Sequence, residues 1–207
     1  MFEIVTERLI LRDFIPEDVS SYVRLTQDEK YQRFYDEEDC SVEKAEFLVN
    51  LFVEQASEIP RSKYQLAIVL KDTSQVIGTC GIRIETDHQA SMGCGVAREF
   101  QGAGYAQEAV EAIAAFGFET LNVHRLYAET IGANKAAIAM CRQFGMRKEA
   151  QFVEHRFFKE RWWDTVIYAI LKSEWNEKKG SQYVELTTDG TQAFGAGFRF
   201  TCRRVAT

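Results

Sequence analysis

The residues with the most distinctive chemistry stand in the middle of the chain, where Gly102 and Gly104 open an alanine-rich segment. Apolar residues of that segment recur at i, i+3, i+4 and i+7, which predicts a helix from Tyr105 to Leu121. A glycine loop at a helix N-terminus presents free backbone N–H groups, and the helix dipole adds about half a positive charge. The pattern therefore predicts a phosphate-binding loop.

The residues around this loop exclude two other nucleotide-binding patterns. A P-loop requires Lys followed by Ser or Thr after its glycines, and no such pair follows Gly104. A dinucleotide-binding loop requires a third glycine where this chain has Gln107. The pattern that fits is Q/R-x-x-G-x-G/A, which is matched by Gln101, Gly102, Ala103, Gly104, Tyr105 and Ala106.

This loop pattern is that of the GNAT superfamily of N-acetyltransferases, and three other segments resemble the same family in the same order. They are residues 6–14 (TERLILRDF), 134–146 (NKAAIAMCRQFGM) and 156–171 (RFFKERWWDTVIYAIL). The first and last are similar to the ribosomal-protein-alanine, or RimJ/RimL-like, branch. The resemblance covers residues 4–175, the expected domain, and leaves 176–207 as a tail of unassigned role.

The resemblance implies an α/β (α+β) fold with a mixed, mostly antiparallel sheet of about six or seven strands flanked by about four helices. It implies that acetyl-CoA inserts where this sheet splays, and that no metal takes part. The pyrophosphate would lie on the amides of residues 101–106, and Asn134 would bond the pantetheine or a nearby water. The pantetheine arm would pair with the backbone of Cys94, Gly95, Val96 and Ala97. Candidate partners for the 3′-phosphate are Arg98, Lys135 and Arg142.

The proton-transferring groups are where the chain departs from its family. Cys141 stands at the position of a frequent tyrosine, and Ala137 replaces a serine common in the branch. A thiol with a pKa of about 8.5 can protonate a departing thiolate, so Cys141 is a candidate general acid; the alternative is a buried core cysteine. Glu154 and His155 are candidate bases, but neighbours on a strand face opposite ways, so at most one faces the site. Other candidate bases are solvent and Glu85, Asp87 and His88.

The acceptor would be a primary amine, either a peptide or protein N-terminus or a small cationic molecule. The run 36–39 (DEED) would favour a cationic acceptor if it faced the cleft, and is otherwise a solvated loop. Aromatic residues could line an apolar wall beside it or belong to the core: Tyr31, Phe34, Tyr35, Trp162 and Trp163. A non-catalytic acyl-CoA-binding relative remains the alternative function, and homodimer formation is left open.

Composition narrows the class of protein. The 207 residues carry a net charge of −6, which argues against a nucleic-acid-binding protein. No apolar run approaches the roughly 18 residues of a membrane span. Five scattered cysteines and three histidines show no metal-ligand spacing, and a reducing cytoplasm is the expected location.

Periodicity and turn residues predict the remaining elements. Helices are expected over 16–26, 41–58 and 135–144, and strands over 3–13, 64–71, 76–86, 90–97, 124–130, 146–158 and 162–172. The glycine-bearing tail from residue 180, which ends in alternating Phe198, Phe200 and Cys202, could be an added hairpin, a partner-binding arm or an appended sequence.

Overall fold

The computed structural model describes residues 1–179 and the backbone of residues 199–202. The strands are β1 (Phe2–Val5), β2 (Leu9–Asp13), β3 (Lys63–Leu70), β4 (Val76–Ile84), β5 (Gln89–Val96), β6 (Arg125–Ile131), β7 (Arg147–Phe158), β8 (Arg161–Leu171) and β9 (Arg199–Cys202). The helices are α1 (Val19–Thr26), α2 (Glu29–Gln32), α3 (Val42–Gln55), α4 (Tyr105–Ala115), α5 (Lys135–Phe144) and α6 (172–179). None of the helices within these ranges is long and apolar enough to cross a membrane.

One sheet runs through the molecule in the order β7-β8-β6-β5-β4-β3-β2-β1-β9. Every neighbouring pair is antiparallel except β5 and β6, which run parallel. The predicted α/β fold with a mixed, mostly antiparallel sheet is therefore confirmed. The parallel pair arises because α4 carries the chain from the end of β5 back to the start of β6, as a parallel connection requires.

Helices cover the two faces of the sheet and bury different sets of side chains. The larger core packs α4 and α5 against β4, β5, β6 and β8 and includes Ile82, Met92, Ile113, Leu126 and Phe144. A smaller cluster on the other face packs α1 and α3 on β2 and β3. We call the first side the α4 face and the second the α1 face. Alternate residues of each strand point to opposite faces, so each strand contributes to both.

The predicted first strand over 3–13 is wrong in one respect, because it is a hairpin of two strands. Thr6 ends β1: its N–H donates to the carbonyl of Leu9 (3.0 Å) and its Oγ1 accepts the N–H of Leu9 (2.9 Å). A threonine that bonds the backbone in this way offers the chain a turn in place of an extended strand. The even alternation of apolar residues on both sides of Thr6 hid the reversal.

Two predicted helices also differ from the observed ones at their ends. The helix that begins at Ser41 stops at Gln55 instead of residue 58. The helix that begins at Tyr105 is α-helical to Ala115 and then widens into a π-helical turn over Phe116–Thr120, which the N–H of Leu121 closes on the carbonyl of Phe116. The other predicted strands and helices agree with the observed ones to within a few residues, whereas α2 and α6 were not predicted.

The tail predictions lie mostly outside the described residues, because only 199–202 of the segment beyond 179 is described. Residues 199–202 form β9, which pairs antiparallel with β1 from Phe2↔Cys202 to Val5↔Arg199. β9 extends the sheet at the edge remote from β6, so it adds to the sheet without contributing to the gap. The pairing partner is β1, which none of the three interpretations of the tail specified.

Candidate active site

The sheet opens into a gap between β5 and β6. The two strands pair over only three positions, from Gln89↔Arg125 to Ser91↔Tyr127. Beyond them β5 stays paired with β4 as far as Val96, and β6 stays paired with β8 as far as Ile131. The gap therefore closes at Ser91 and Tyr127, which form its apex, and opens toward the glycine loop.

The hydrogen bonds of β5 show which backbone groups face the gap. Bonds to β4 are made by the N–H of Ala97 to Ile77 (2.7 Å) and by the carbonyl of Gln89 from Glu85 (2.8 Å). In an antiparallel ladder alternate residues bond to the same neighbour, so Gly95 also bonds to β4, whereas Met92, Cys94 and Val96 turn their N–H and C=O groups toward the gap. Of the four residues predicted to pair with the pantetheine arm, Cys94 and Val96 therefore have backbone groups that face the gap. The backbone groups of Gly95 and Ala97 bond to β4 instead.

Between β5 and α4 the chain forms the glycine loop, which is solvent-exposed from Gln101 to Gly104. Gly102 and Gly104 have φ of 81° and 83°, a left-handed conformation that disfavours side chains. The side-chain amide of Gln101 donates to the carbonyl of Val96 (3.0 Å) and ties the loop to the end of β5. Six successive N–H groups, from Gly102 to Gln107, have no acceptor within the described ranges.

An array of unpaired amides at a helix N-terminus suits an anion, because these N–H groups lose free energy when neither water nor a ligand accepts their hydrogen bonds. The loop of residues 101–106 therefore has the donors for a pyrophosphate, and the backbone of Cys94 and Val96 has the donors and acceptors for an extended pantetheine arm. A Cβ on Gly104 would make a tight contact of 3.3 Å with the Arg8 guanidinium, and the φ of 83° already strains any L side chain at this position.

Asn134 lies at the start of α5 and caps it. Its Oδ1 accepts the N–H of Ala137 (3.2 Å), as expected of an N-cap asparagine. The side-chain NH2 group makes no hydrogen bond within residues 1–179, so it keeps the donor that the resemblance assigns to the cosubstrate.

Cys141 is 6% exposed on the inner side of α5 and packs in the larger core. Burial raises the pKa of its thiol, so at neutral pH the group carries its proton. Cys94, on the same face of β5, has a pKa raised to about 12 by burial. Neither thiol is a nucleophile at neutral pH, but each holds a proton on the α4 face.

Glu154 and His155 lie in a bulge of β7, where the pairing with β8 jumps from Phe152↔Thr165 to Arg156↔Trp163. Glu154 adopts a φ of 50°, its N–H donates to Asp164, and its side chain is exposed. His155 instead folds onto β8, with Nδ1 3.0 Å from the hydroxyl of buried Thr165. Thr165 pairs with Ile131 of β6, so His155 lies on the α1 face of β8, with β6 between it and the gap.

A polar cluster at the apex includes a residue that sequence reasoning missed. The Tyr127 hydroxyl donates to the Glu85 carboxylate, 2.9 Å from both oxygens. Burial and then Glu85 raise the pKa of Tyr127. The only signal for Tyr127 was its place on a predicted strand, which does not show what stands opposite. Asp87 and His88 lie in the tight turn beyond the apex, with φ of 57° and 55°.

The predicted acceptor wall is present in part on the α1 face. Tyr31 stacks on Tyr35 (ring centroids 4.9 Å apart) and lies 3.7 Å from the place of a Cβ on Gly95. Phe34 packs edge-on against Trp163 (5.8 Å). Trp162 points away from this wall and is 55% exposed beside Phe157.

Charged groups lie on the loop after α2 and beside the end of β5. The acidic residues 36–39 are all exposed on the loop after α2, on the same side as the aromatic wall. A cavity of about 230 Å³ opens beside the end of β5 and is lined by Arg24, Asp28, Gly78, Ala97 and Arg98, among others. Of the three 3′-phosphate candidates, Arg98 therefore lines this cavity, whereas Lys135 and Arg142 are exposed on α5. Residues 1–179 bring no three His, Cys, Asp or Glu side chains together in a metal-binding group.

Known proteins are similar to this chain in sequence and in fold. An uncharacterised N-acetyltransferase, YnaD of Bacillus subtilis, is 29% identical over 174 residues, covering 84% of this chain and 99% of YnaD. A GNAT-family acetyltransferase structure from Bacillus anthracis matches 84% of this chain and all of its own at 25% identity, with a TM-score of 0.73. A RimL ribosomal L7/L12 α-N-protein acetyltransferase solved with coenzyme A has the same fold (TM-score 0.70, 19% identity, 82% of this chain and 97% of its own).

The family model described as an acetyltransferase (GNAT) domain matches residues 8–147. That span holds the gap between β5 and β6, the glycine loop and the cap of α5, the three features from which the site is built. The chain belongs to the GNAT family of acetyltransferases.

Proposed function

We propose that this acetyltransferase moves the acetyl group of acetyl-CoA to a primary amine by direct attack, with both substrates bound together in the gap. The observation that carries the proposal is a pair of features in one line: backbone groups of Met92 and Cys94 that face the gap, and unpaired N–H groups of the glycine loop from Gly102 to Gln107. An extended ligand with an anionic end satisfies these groups in one binding mode. Bound acetyl-CoA supplies the activated acyl group.

The groups proposed for the remaining chemical steps lie on both faces of the sheet. A backbone N–H that faces the gap, that of Val96, is the proposed donor to the carbonyl oxygen as it becomes negative. His155, on the α1 face, is the proposed base for the incoming amine. Cys141, on the α4 face, is the proposed proton donor to the departing sulfur, since burial keeps its thiol protonated.

The acceptor class follows from the surroundings of the α1 face. Aromatic rings of Tyr31 and Tyr35 provide an apolar surface over Gly95, and Glu85 holds a carboxylate at the apex. Residues 36–39 add negative charge on the same side. This setting favours a positively charged amine, either a peptide N-terminus or a small polyamine-like molecule.

Calorimetric titration of acetyl-CoA, followed by release of free thiol across a panel of peptide and small amines, tests the proposal. Gly104→Val places a side chain in the cradle, and we expect at least about tenfold weaker acetyl-CoA binding in a folded protein. Gly145→Val is the matched control, because Gly145 has a φ of 97° at the end of α5 and carries the same backbone strain away from the loop.

The outcomes separate the alternatives. Unchanged affinity in folded Gly104→Val, or equal loss in both variants, would count against the loop as the anion site. Acetyl-CoA binding without thiol release for any amine would identify a non-catalytic acyl-CoA-binding relative instead.

A further inference from the structure

An ion pair between Arg8 and Glu108 lies directly against the glycine loop. Arg8 is on the turn between β1 and β2, and Glu108 is on the first turn of α4. The Arg8 Nε donates to Glu108 (2.7 Å), and its Nη1 donates to the carbonyl of Ala103 (2.8 Å). The guanidinium also lies over the ring of Tyr105, 4.5 Å from its centroid. The Arg8 side chain thus contacts the loop at Ala103 and the first turn of α4 at Tyr105 and Glu108.

The bond from Arg8 to Ala103 fixes the orientation of a peptide group in the loop. In a trans peptide the C=O and the following N–H point in opposite directions. Because the Ala103 carbonyl is held toward Arg8, the N–H of Gly104 is held away from it. Gly104 has a φ of 83°, and glycine has few steric limits on rotating this peptide, so an outside contact is what selects its orientation.

Electrostatics give the guanidinium a second effect on the loop. Partial burial raises the pKa of Glu108, but hydrogen bonds from the Thr6 hydroxyl and from Arg8 outweigh this effect and leave the pKa lowered. Glu108 is therefore a carboxylate at neutral pH, one helical turn from an array of amides suited to an anion. Without a cation beside it, this charge would repel a pyrophosphate.

We propose that Arg8 is a positioning residue for the cosubstrate: it orients the Ala103–Gly104 peptide so that the Gly104 N–H faces the pyrophosphate, and it neutralises Glu108. The inference rests on the proposed function, since it assumes that the loop binds the pyrophosphate of acetyl-CoA. It assigns a binding role to the N-terminal hairpin, which is distant in sequence from the loop.

Substitutions of Arg8 separate orientation from charge. Arg8→Gln removes the charge and the forked donor together. Arg8→Lys keeps the charge beside Glu108, but a single ammonium does not reproduce the forked pair of bonds to Glu108 and Ala103. Arg12→Gln is the matched control: Arg12 is on the same hairpin and makes a two-bond ion pair with Asp18 (2.7 and 2.9 Å) on the opposite side of β2 from the loop.

The measurement is calorimetric affinity for two probes, CoA and 3′-dephospho-CoA, with the wild-type protein and each variant. Both probes contain the pyrophosphate, and only CoA contains the 3′-phosphate. We expect Arg8→Gln to weaken both probes equally, by about tenfold or more, as for loss of a charge-assisted hydrogen bond. Arg8→Lys should fall between Arg8→Gln and wild type, and Arg12→Gln should bind both probes as wild type does.

Glycine N–H signals in ¹H–¹⁵N spectra provide a readout besides affinity. The Gly104 signal should shift on addition of 3′-dephospho-CoA in the wild-type protein and shift much less in Arg8→Lys, which retains the charge at this position. This comparison also serves if Arg8→Gln fails to fold.

Several results would overturn the proposal. One is an affinity of Arg8→Gln for both probes within about twofold of wild type, and another is wild-type affinity in Arg8→Lys. A third is a loss of affinity for CoA alone, which would place Arg8 on the 3′-phosphate. Equal losses in Arg8→Gln and Arg12→Gln would reduce the role to stability of the hairpin. If the wild-type protein binds neither probe, the proposed function fails, and this outcome is distinct from each of the others.

Discussion

At the scale of single residues, Cys141 is the sharpest departure from the family pattern, and we propose it as the proton donor. The thiol is buried in the larger core and keeps its proton because burial raises its pKa. A donor of this kind acts late, when the sulfur of the cosubstrate leaves as a thiolate. Its contribution should therefore appear in kcat and leave substrate binding unchanged.

We predict that Cys141→Ala lowers kcat by about tenfold to a hundredfold, the range for general acid catalysis, with little change in KM. Steady-state kinetics with acetyl-CoA and the best amine of the panel measure both constants. A variant with kcat within a few-fold of wild type that loses about 1 kcal/mol of stability would show that Cys141 only fills the core.

Asn134 combines two roles that a pair of substitutions separates. Asn134→Ser keeps an oxygen for the N–H of Ala137 and loses the side-chain NH2 donor, whereas Asn134→Ala loses both. We expect Asn134→Ser to keep the wild-type melting temperature and raise KM for acetyl-CoA several-fold, through one hydrogen bond of about 1 kcal/mol. Asn134→Ala should also lose about 1 kcal/mol of stability as a cap is removed. Wild-type KM in Asn134→Ser would leave Asn134 with the cap alone.

The glycine loop was predictable from sequence because its requirements are local. Gly102 and Gly104 adopt left-handed backbone angles, and the helix that follows has its own periodicity. Contacts that join distant segments have no such signature. Tyr127 with Glu85, and Arg8 with Glu108, become visible only once the sheet brings them together.

At the scale of elements, the bulge in β7 sets the positions of the two candidate bases. Alternation along a regular strand places Glu154 and His155 on opposite faces but does not say which one faces the gap. In the bulge, residues 153–155 stand opposite Asp164 alone, and the extra length lets His155 turn onto Thr165. Sequence patterns do not locate a bulge, because the residues in it keep the composition of a strand.

We predict that His155→Gln lowers kcat more than Glu154→Gln does, by about tenfold or more relative to wild type. The reason is position: both side chains are exposed, but the His155 ring lies 3.0 Å from the hydroxyl of buried Thr165 on the α1 face. Initial rates with saturating acetyl-CoA compare the two. Val153→Ala, in the same bulge and 72% exposed at the wild-type valine, controls for disturbance of the strand. The reverse order of effects would reassign the base to Glu154.

At the scale of the whole molecule, the order of the motifs predicted the fold better than the individual elements did. A strand, a glycine loop with its helix, a second strand and a second helix suffice to generate the one parallel pair of the sheet and hence the gap. The count of strands was less predictable, because Thr6 splits the first one and β9 is supplied by the tail. A turn at Thr6 and a pairing with the distant tail both change the number of strands, but neither changes the apolar pattern of residues 3–13.

The raised pKa values of buried thiols and phenols predict how the free energy of unfolding depends on pH. Burial raises the pKa of Cys80, raises that of Cys94 to about 12, and raises that of Tyr22 to about 12. Each folded-state value is higher than the unfolded one, so the folded protein holds protons that the unfolded chain releases. The stabilisation is complete below the unfolded pKa, about 8.5 for a thiol and about 10 for a phenol, and is lost as the pH rises toward the folded values.

We therefore expect the free energy of unfolding, measured by urea titration at a series of pH values, to be flat near neutrality and to fall above about pH 8.5. Each such thiol contributes a slope of about 1.4 kcal/mol per pH unit once the unfolded chain has lost the proton. Cys80→Ala supplies the control, because Cys80 is fully buried on β4 and its removal deletes one titrating group. The variant should be less stable at neutral pH and show a shallower alkaline decline. An identical decline in wild type and Cys80→Ala would mean that the Cys80 thiol ionises as readily in the folded protein as in the unfolded chain.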